Sequence, residues 1–158
     1  AYGWQVHDAM ARLEGAGGLR TMRQNIEKLL KQPGVTWHGR LPQRKVRDVL
    51  DSCRVWAYPC AYPEMLCSTA VRSMARGCWP VIRPFAALEE VVPDGDLVNF
   101  DPETEEGRGR YRDALIAALS RPASELQNRR RDLRKTALTR HLLAEAAWTR
   151  ALEEDGLL

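Results

Sequence analysis

Several features that would assign this chain to a special class are missing from it. Among its 158 residues, no stretch approaches the roughly 20 apolar residues that a membrane-spanning helix needs. The opening segment AYGWQVHDAM has neither the basic nor the apolar region of a secretory signal. The net charge is only +3, and internal repeats and low-complexity linkers are absent. We therefore expect a globular, cytoplasmic protein with no transmembrane segment.

The cysteines are too widely spaced for a common metal site. The four of them lie at positions 53, 60, 67 and 78, without a CxxC pair or a nearby pair of histidines. Cys53, Cys67 and Cys78 lie beside apolar residues, where a free thiol packs as a small hydrophobic side chain. We expect reduced cysteines, no metal and no cofactor.

Two signatures of phosphate binding are also missing, since the chain contains neither GxGxxG nor GxxxxGK[ST]. A late basic run does occur, at Arg129, Arg130, Arg131, Arg134 and Lys135. It lies in a helical pattern with Glu125 and Asp132 interspersed, which favours a solvated helix face over a phosphate-binding stripe. We expect no nucleic-acid partner.

Hydrophobic patterns alternate between helical and extended segments from residue 21 to residue 100. Helical stripes predict helices in segments 21–32, 42–53, 68–76 and 87–92, and apolar or β-branched runs predict strands in segments 35–39, 54–60, 79–82 and 97–100. Strands alternating with helices imply βαβ units. The predicted fold is therefore a three-layer, Rossmann-like α/β domain with a parallel sheet.

The rest of the chain is predicted to be helical. Amphipathic faces occur from Tyr111 to Leu119, at Leu126 and Leu133, and from Ala144 to Leu152, where Trp148 lies. One domain, residues 1–158, is the simplest prediction. Its core is residues 1–100, and its C-terminal helical segment is residues 101–158.

The candidate site lies in the loops after the strands, because open parallel sheets bind ligands at the carboxyl ends of their strands. The loop HGRLPQ (38–43) follows the first predicted strand, and PCAYPEMLCST (59–69) follows the second. The second loop carries Glu64 and then free backbone N–H groups, those of Leu66 to Thr69, at a helix start. Such a helix start favours an anion such as phosphate.

The order of these segments resembles the C-terminal, donor-binding domain of group 1 (family 4) GT-B glycosyltransferases. The matching pieces are Gly39, the segment from Asp51 to Pro59, Pro63-Glu64, Ala75-Gly77-Pro80-Val81-Ile82 and Glu90-Val92-Asp94-Gly95. The resemblance covers residues 35–96 and implies one half of a GT-B fold. It also implies retaining, metal-independent transfer of a sugar from a nucleoside-diphosphate donor to an acceptor hydroxyl.

The resemblance assigns roles to individual residues. Glu64, as the first glutamate of an E-x7-E element, is expected to act in catalysis by facing the hydroxyls of the donor sugar, because a carboxylate accepts two hydrogen bonds at once. Backbone N–H groups near the donor diphosphate are expected from Met65, Leu66, Cys67 and Ser68. The nucleotide base is expected beside His38, Gly39, Arg40 and Leu41.

Arg72 departs from this pattern. It stands eight residues after Glu64, where the family usually has the second glutamate, which holds the ribose hydroxyls. A guanidinium cannot accept a hydrogen bond, so Arg72 cannot take over that role. Two interpretations stay open: Arg72 contacts the ligand or pairs with Glu64, or it occupies an exposed helix edge.

These residues support two functional hypotheses. The leading one is the nucleotide-sugar-binding half of a glycosyltransferase, whose N-terminal acceptor-binding domain is missing from these 158 residues. The alternative, motivated by Arg72, is a degenerate glycosyltransferase-like module that binds a ligand or a protein without catalysis.

Under either hypothesis, we predict that the 158-residue polypeptide alone has no transferase activity. The acceptor-binding domain and the family's phosphate-clamping basic pair have no equivalent in it. An assay for nucleoside diphosphate released from a panel of sugar donors and acceptors checks this prediction. Sugar transfer by the isolated polypeptide would contradict it.

Overall fold

The computed structural model describes the backbone of residues 17–154 and the side chains of residues 20–139. The chain divides into two compact units, residues 1–46 and residues 47–158. The helical face expected from Ala144 to Leu152, with Trp148, lies outside the described side chains. In the described part of the chain, none of the helices has the length and apolar character needed to cross a bilayer.

The first unit contains helix α1, Gly17–Leu30, and the beginning of helix α2, Gln43–Ser52. Both helices were predicted from their apolar periodicity, although α1 begins and ends earlier than expected. Along α1, Ile26 and Leu30 are half-buried, whereas Leu29 is 54% exposed. The predicted stripe is therefore only partly covered.

The strand predicted at residues 35–39 is wrong. This segment has no ladder pairing, and its large side chains Val35 and Trp37 are 44% and 63% exposed. β-Branched and aromatic residues favour strands mainly because they pack on a pleated, half-buried surface. The local sequence has the composition of a strand, but the described sheet pairs only three later segments with one another.

The second unit is built on a parallel three-stranded sheet with strand order β1-β2-β3. Val55 pairs with Trp79 and Tyr58 with Ile82, and Val81 pairs with Asp96. The α/β prediction is confirmed, but the last strand begins and ends earlier than the expected 97–100. In chain order the elements after α2 are β1 Val55–Tyr58, α3 Ser68–Ala75, β2 Trp79–Ile82, α4 Leu88–Val91, β3 Asp96–Leu97, α5 Glu105–Ser120 and α6 Ala123–Glu154.

The middle strand β2 forms the centre of the core. All four of its residues are buried, whereas β1 is mostly half-buried and exposes Ala57. Helix α3 buries Ala70, Ser73 and Met74 and leaves Val71 half-buried. The other large contributions come from Leu88, Val92, Phe100, Tyr111, Leu126 and Leu133.

Of the two C-terminal helices, α5 packs against β1 and β2, and α6 packs mainly against α3. Tyr111 of α5 donates a hydrogen bond from its hydroxyl to the Val81 carbonyl at 2.8 Å. Burial raises the pKa of Tyr111 to about 12. The predicted face of α5 is confirmed at Tyr111 and Ala118, but Leu119 is 52% exposed.

A polar cluster joins the sheet to the junction between α5 and α6. Asp96 accepts hydrogen bonds from the Trp79 indole at 3.0 Å and from the Arg121 guanidinium at 2.9 and 2.7 Å. The Arg54 guanidinium donates to the Arg121 carbonyl. Because indole and guanidinium both need an acceptor when desolvated, Asp96 satisfies two groups at once.

Replacing Asp96 with Ala is expected to lower the free energy of unfolding by about 2 kcal/mol, because it leaves a buried indole and a half-buried guanidinium without their acceptor. Urea denaturation followed by circular dichroism measures the loss. Asp113→Ala is the matched control, since the Asp113–Arg112 pair is about two-thirds exposed and such pairs contribute at most about 1 kcal/mol. Equal losses in the two variants would contradict the structural role of Asp96.

Candidate functional site

Glu64 is held on two sides in the loop between β1 and α3. The hydroxyl of Tyr58, the last residue of β1, donates to Glu64 Oε1 at 2.6 Å. The Ala87 N–H donates to the Glu64 carbonyl at 3.2 Å, so the main chain is anchored as well. The residue is half-buried. A carboxylate offers about four acceptor positions, and the Tyr58 bond uses one, so Glu64 retains the capacity to accept hydroxyl donors.

The hydrogen bond changes the acidity of Tyr58. The Glu64 carboxylate beside it, together with burial, raises the pKa of the Tyr58 phenol above its ordinary value of 10.0. The bond to a carboxylate favours the protonated phenol, which is the form that donates. Tyr58 therefore acts as a permanent donor to Glu64 at neutral pH.

Arg83 brings a positive charge to the same edge of the sheet. It follows β2 directly, and its guanidinium donates to the carbonyl of Cys60 at 3.4 Å, across the ends of β1 and β2. The guanidinium also lies 4.5 Å from the centre of the Phe85 ring. The half-buried side chain is thus held at the carboxyl ends of the strands by neutral partners, and its charge is available to an anion.

The loop after β2 contains a strained residue. Ala86 has a φ of +52°, a left-handed conformation that costs a residue with a Cβ atom about 1 kcal/mol or more. The next residue, Ala87, supplies the N–H that binds the Glu64 carbonyl. The strain is therefore found where two strand-end loops meet, as is common at ligand sites.

Helix α3 begins immediately after the Glu64 loop. Met65 and Leu66 are 93% and 69% exposed, Cys67 is buried, and Ser68 is exposed at the first helical position. The expectation of free N–H groups is wrong for Ser68, whose N–H donates to the Leu66 carbonyl at 3.1 Å. The helix start still presents its positive end beside Glu64.

Arg72 lies on the exposed side of α3. Its neighbours Ala70 and Ser73 point into the core, which leaves Arg72 on the solvent side of the helix. This position agrees with the exposed-edge interpretation, and contact with a ligand stays a prediction.

Residues 38–41 belong to the first unit. His38, Gly39 and Arg40 are exposed and Leu41 is half-buried, and Gly39 adopts a left-handed φ of +62°. Their expected role beside a nucleotide base stays a prediction.

Cys67, in the loop that carries Glu64, is buried. Burial raises the pKa of the Cys67 thiol, so the thiol stays protonated at neutral pH and is a poor nucleophile. All four cysteines are free. Within the described residues, no group of three His, Cys, Asp or Glu side chains could hold a metal ion.

Most of the basic run on α6 is exposed, as expected of a solvated face, but Arg130 is half-buried, so that interpretation is wrong for this residue. Arg130 donates to the carbonyls of Gly77 and Cys53, and Arg134 donates to the Arg76 carbonyl at 2.8 Å. Both arginines contact the amino-terminal side of the sheet, away from Glu64. Periodicity alone could not show this, because it does not reveal which main-chain groups lie opposite a helix.

Sequence reasoning identified the Glu64 loop but missed Tyr58 and Arg83. Both residues were visible in principle, because each lies at the carboxyl end of a predicted strand, where ligands bind in open parallel sheets. This position alone was a weak indication of function. Tyr58 fits the pattern of an ordinary apolar strand, and Arg83 is a single charged residue rather than part of a motif. Only the contacts with Glu64 and Cys60 distinguish them.

One comparison with known proteins gave a match. The family model described as glycosyl transferases group 1 matches residues 5–138, which is most of the chain. No curated protein matches the sequence.

The Tyr58–Glu64 bond can be tested by titration. Replacing Glu64 with Gln is expected to lower the pKa of Tyr58, because a neutral amide oxygen favours the protonated phenol less than a carboxylate does. A phenol whose pKa is raised on folding stabilises the fold below pH 10.0, and this contribution is lost as the pH rises further. The Cζ resonance of Tyr58 in tyrosine-labelled protein measures the pKa, with Glu106→Gln on α5 as control. An unchanged Tyr58 pKa in Glu64→Gln would contradict the bond.

Proposed function

Because the chain belongs to the group 1 glycosyltransferases, we propose that it binds a nucleoside-diphosphate sugar at the loop between β1 and α3. The observation that carries the proposal is the anchored carboxylate of Glu64, held by Tyr58 at 2.6 Å directly before a helix start. The carboxylate that can bind sugar hydroxyls and the helix start that can bind an anion thus lie within five residues, from Glu64 to Ser68. A donor that carries a sugar on a diphosphate needs both.

In this proposal the carboxylate of Glu64 accepts hydrogen bonds from the sugar hydroxyls. Tyr58 keeps it oriented, since the phenol remains protonated. Charge-assisted bonds of this kind are short and directional, so they select the arrangement of the hydroxyls. Glu64 is then a binding residue for the sugar and Tyr58 its positioning residue.

The diphosphate lies, in this proposal, at the start of α3, near Met65 to Ser68. The positive end of the helix and the Arg83 guanidinium offset the charge that develops as the diphosphate leaves. Arg83 supplies a fixed cation where the sequence shows no basic pair of the kind expected from the family. The charge is stabilised without a metal ion.

The reaction we infer is retaining transfer to an acceptor hydroxyl. The bond between the anomeric carbon and the diphosphate oxygen breaks, and the acceptor oxygen forms the new bond on the same face of the sugar. The acceptor proton leaves with the departing diphosphate. Holding both reactants in one place supplies much of the rate acceleration, and an acceptor-binding domain outside these 158 residues is the partner that this reaction requires.

A second candidate function follows from Arg72. Its exposed guanidinium, where the family usually has an acidic residue, supports a degenerate module that binds its ligand without catalysis. Such a module still binds a nucleoside diphosphate at the start of α3 but is indifferent to the sugar hydroxyls.

Calorimetric titration with a panel of nucleoside diphosphates and their sugars tests the proposal. We expect at least one sugar donor to bind more tightly than its parent nucleoside diphosphate. Glu64→Ala is expected to weaken the binding of that donor about tenfold or more, because it removes charge-assisted hydrogen bonds to the sugar. Glu106→Ala, an exposed glutamate of α5, removes the same charge away from the site and should leave binding unchanged.

Two results would count against a transferase donor site. Binding of nucleoside diphosphates with no gain from the sugar, and no effect of Glu64→Ala, would favour the non-catalytic module. No binding by any member of the panel would contradict both functions.

A further inference from the structure

A second polar site lies on α6, at the opposite edge of the sheet from Glu64. Gln127, Arg130, Arg131 and Arg134 line a groove of about 300 Å³. Arg130 reaches Cys53 and Gly77, which precede β1 and β2, so the groove lies at the amino ends of the strands. Since Glu64 follows the carboxyl end of β1, the groove is separate from the proposed donor site. Its volume is at the lower end of the range for small-molecule sites.

Neutral partners hold the arginines of the groove in place. Arg130 and Arg134 donate to main-chain carbonyls, and Arg131 donates to the side-chain oxygen of Asn128 at 3.2 Å. Carbonyl and amide oxygens orient a guanidinium without neutralising it. Each guanidinium has five N–H donors, so these bonds leave several donors per arginine for a ligand.

The nearby carboxylates do not neutralise this charge. Asp51 forms an ion pair with Arg76 at 3.1 Å. Asp132 is on the same helix, but at about 100° per residue it points roughly opposite to the face shared by Gln127, Arg130, Arg131 and Arg134. Among the residues that the structure describes, none that lines the groove is acidic. The groove therefore gathers three positive charges, which attract an anion.

The main-chain conformation at Gly77 keeps the groove close to α3. Gly77 ends this helix with a φ of +77°, and a Cβ atom there would lie 3.0 Å from the guanidinium of Arg134. Glycine therefore lets the arginine pack against the end of the helix. The hydrogen bond from Arg134 to the Arg76 carbonyl orients this guanidinium before a ligand arrives, which favours binding because less side-chain order must be gained.

We propose that this groove binds a small phosphate-bearing anion, with Arg131 and Arg134 as the main ligands. Planar guanidinium groups match phosphate oxygens in pairs, which a spherical anion such as chloride does not exploit. The proposal does not rest on the proposed function, because none of its residues belongs to the Glu64 loop.

Pyrophosphate is the probe that tests the proposal in the full 158-residue chain. Nitrogen-15 NMR spectra that include the arginine Nε–H signals are recorded during the titration in chloride buffer. We expect saturable shifts at Arg131 and Arg134. Arg131→Ala is expected to weaken binding about tenfold, the usual effect of losing a hydrogen bond to a charged group. Arg131 is the preferred position because its hydrogen bond to Asn128 lies within its own helix, so the fold is retained.

Arg112→Ala provides the control. Arg112 is an exposed arginine of α5 that pairs with Asp113, and its loss removes the same charge without touching the groove. Arg134→Ala, checked for folding by its thermal transition, is a second variant, and we expect it to weaken pyrophosphate binding as well.

Two further ligands separate the possible sources of phosphate. The affinity of the chain for free pyrophosphate is compared with its affinity for vesicles that contain phosphatidic acid. Pyrophosphate binding that is at least as tight supports a small-molecule site. Binding to vesicles or to a single-stranded oligonucleotide, without binding of pyrophosphate, would overturn the proposal. Equal affinities of Arg131→Ala and Arg112→Ala for pyrophosphate would overturn it too.

Discussion

The ion pair between Asp96 and Arg121 joins segments of the second unit that are far apart in the sequence. Asp96, in β3, accepts hydrogen bonds from the indole of Trp79 in β2 and from the guanidinium of Arg121. Arg121 lies at the junction of α5 and α6, and its carbonyl accepts a hydrogen bond from the guanidinium of Arg54. These bonds connect the amino ends of the strands to the junction between α5 and α6. The small, three-stranded sheet depends on this attachment, because three short strands bury little area by themselves.

Different side chains lie at the two ends of the strands. At the carboxyl ends, Tyr58 and Arg83 surround the loop of Glu64 and supply one fixed donor and one fixed cation. At the amino ends, arginines of α6 bind the carbonyls of the connecting turns. Helix α3 runs between the two regions, so its start contributes to one and its end to the other.

The sequence was sufficient to predict the helices and the central strands but not every strand. The run Trp79–Ile82 is apolar throughout and is buried as predicted, because a strand with apolar side chains on both faces is covered on both sides. The segment 35–39 is β-branched and aromatic, as strands often are, yet it lies exposed, because strand pairing depends on which segments lie beside it. Glu64 was predicted from its place after a strand, whereas Tyr58 and Arg83 became functional candidates only through contacts that no pattern of residues reveals.

The central claim is that the carboxyl ends of β1 and β2 bind a nucleoside-diphosphate sugar in this group 1 glycosyltransferase domain. Mapping amide shifts in a nitrogen-15 NMR titration with such a donor tests it most directly. The account predicts that the largest shifts occur in residues 64–69 and 83–87, with smaller shifts along α6. Shifts confined to the arginine groove of α6, or no saturable shifts at all, would contradict it.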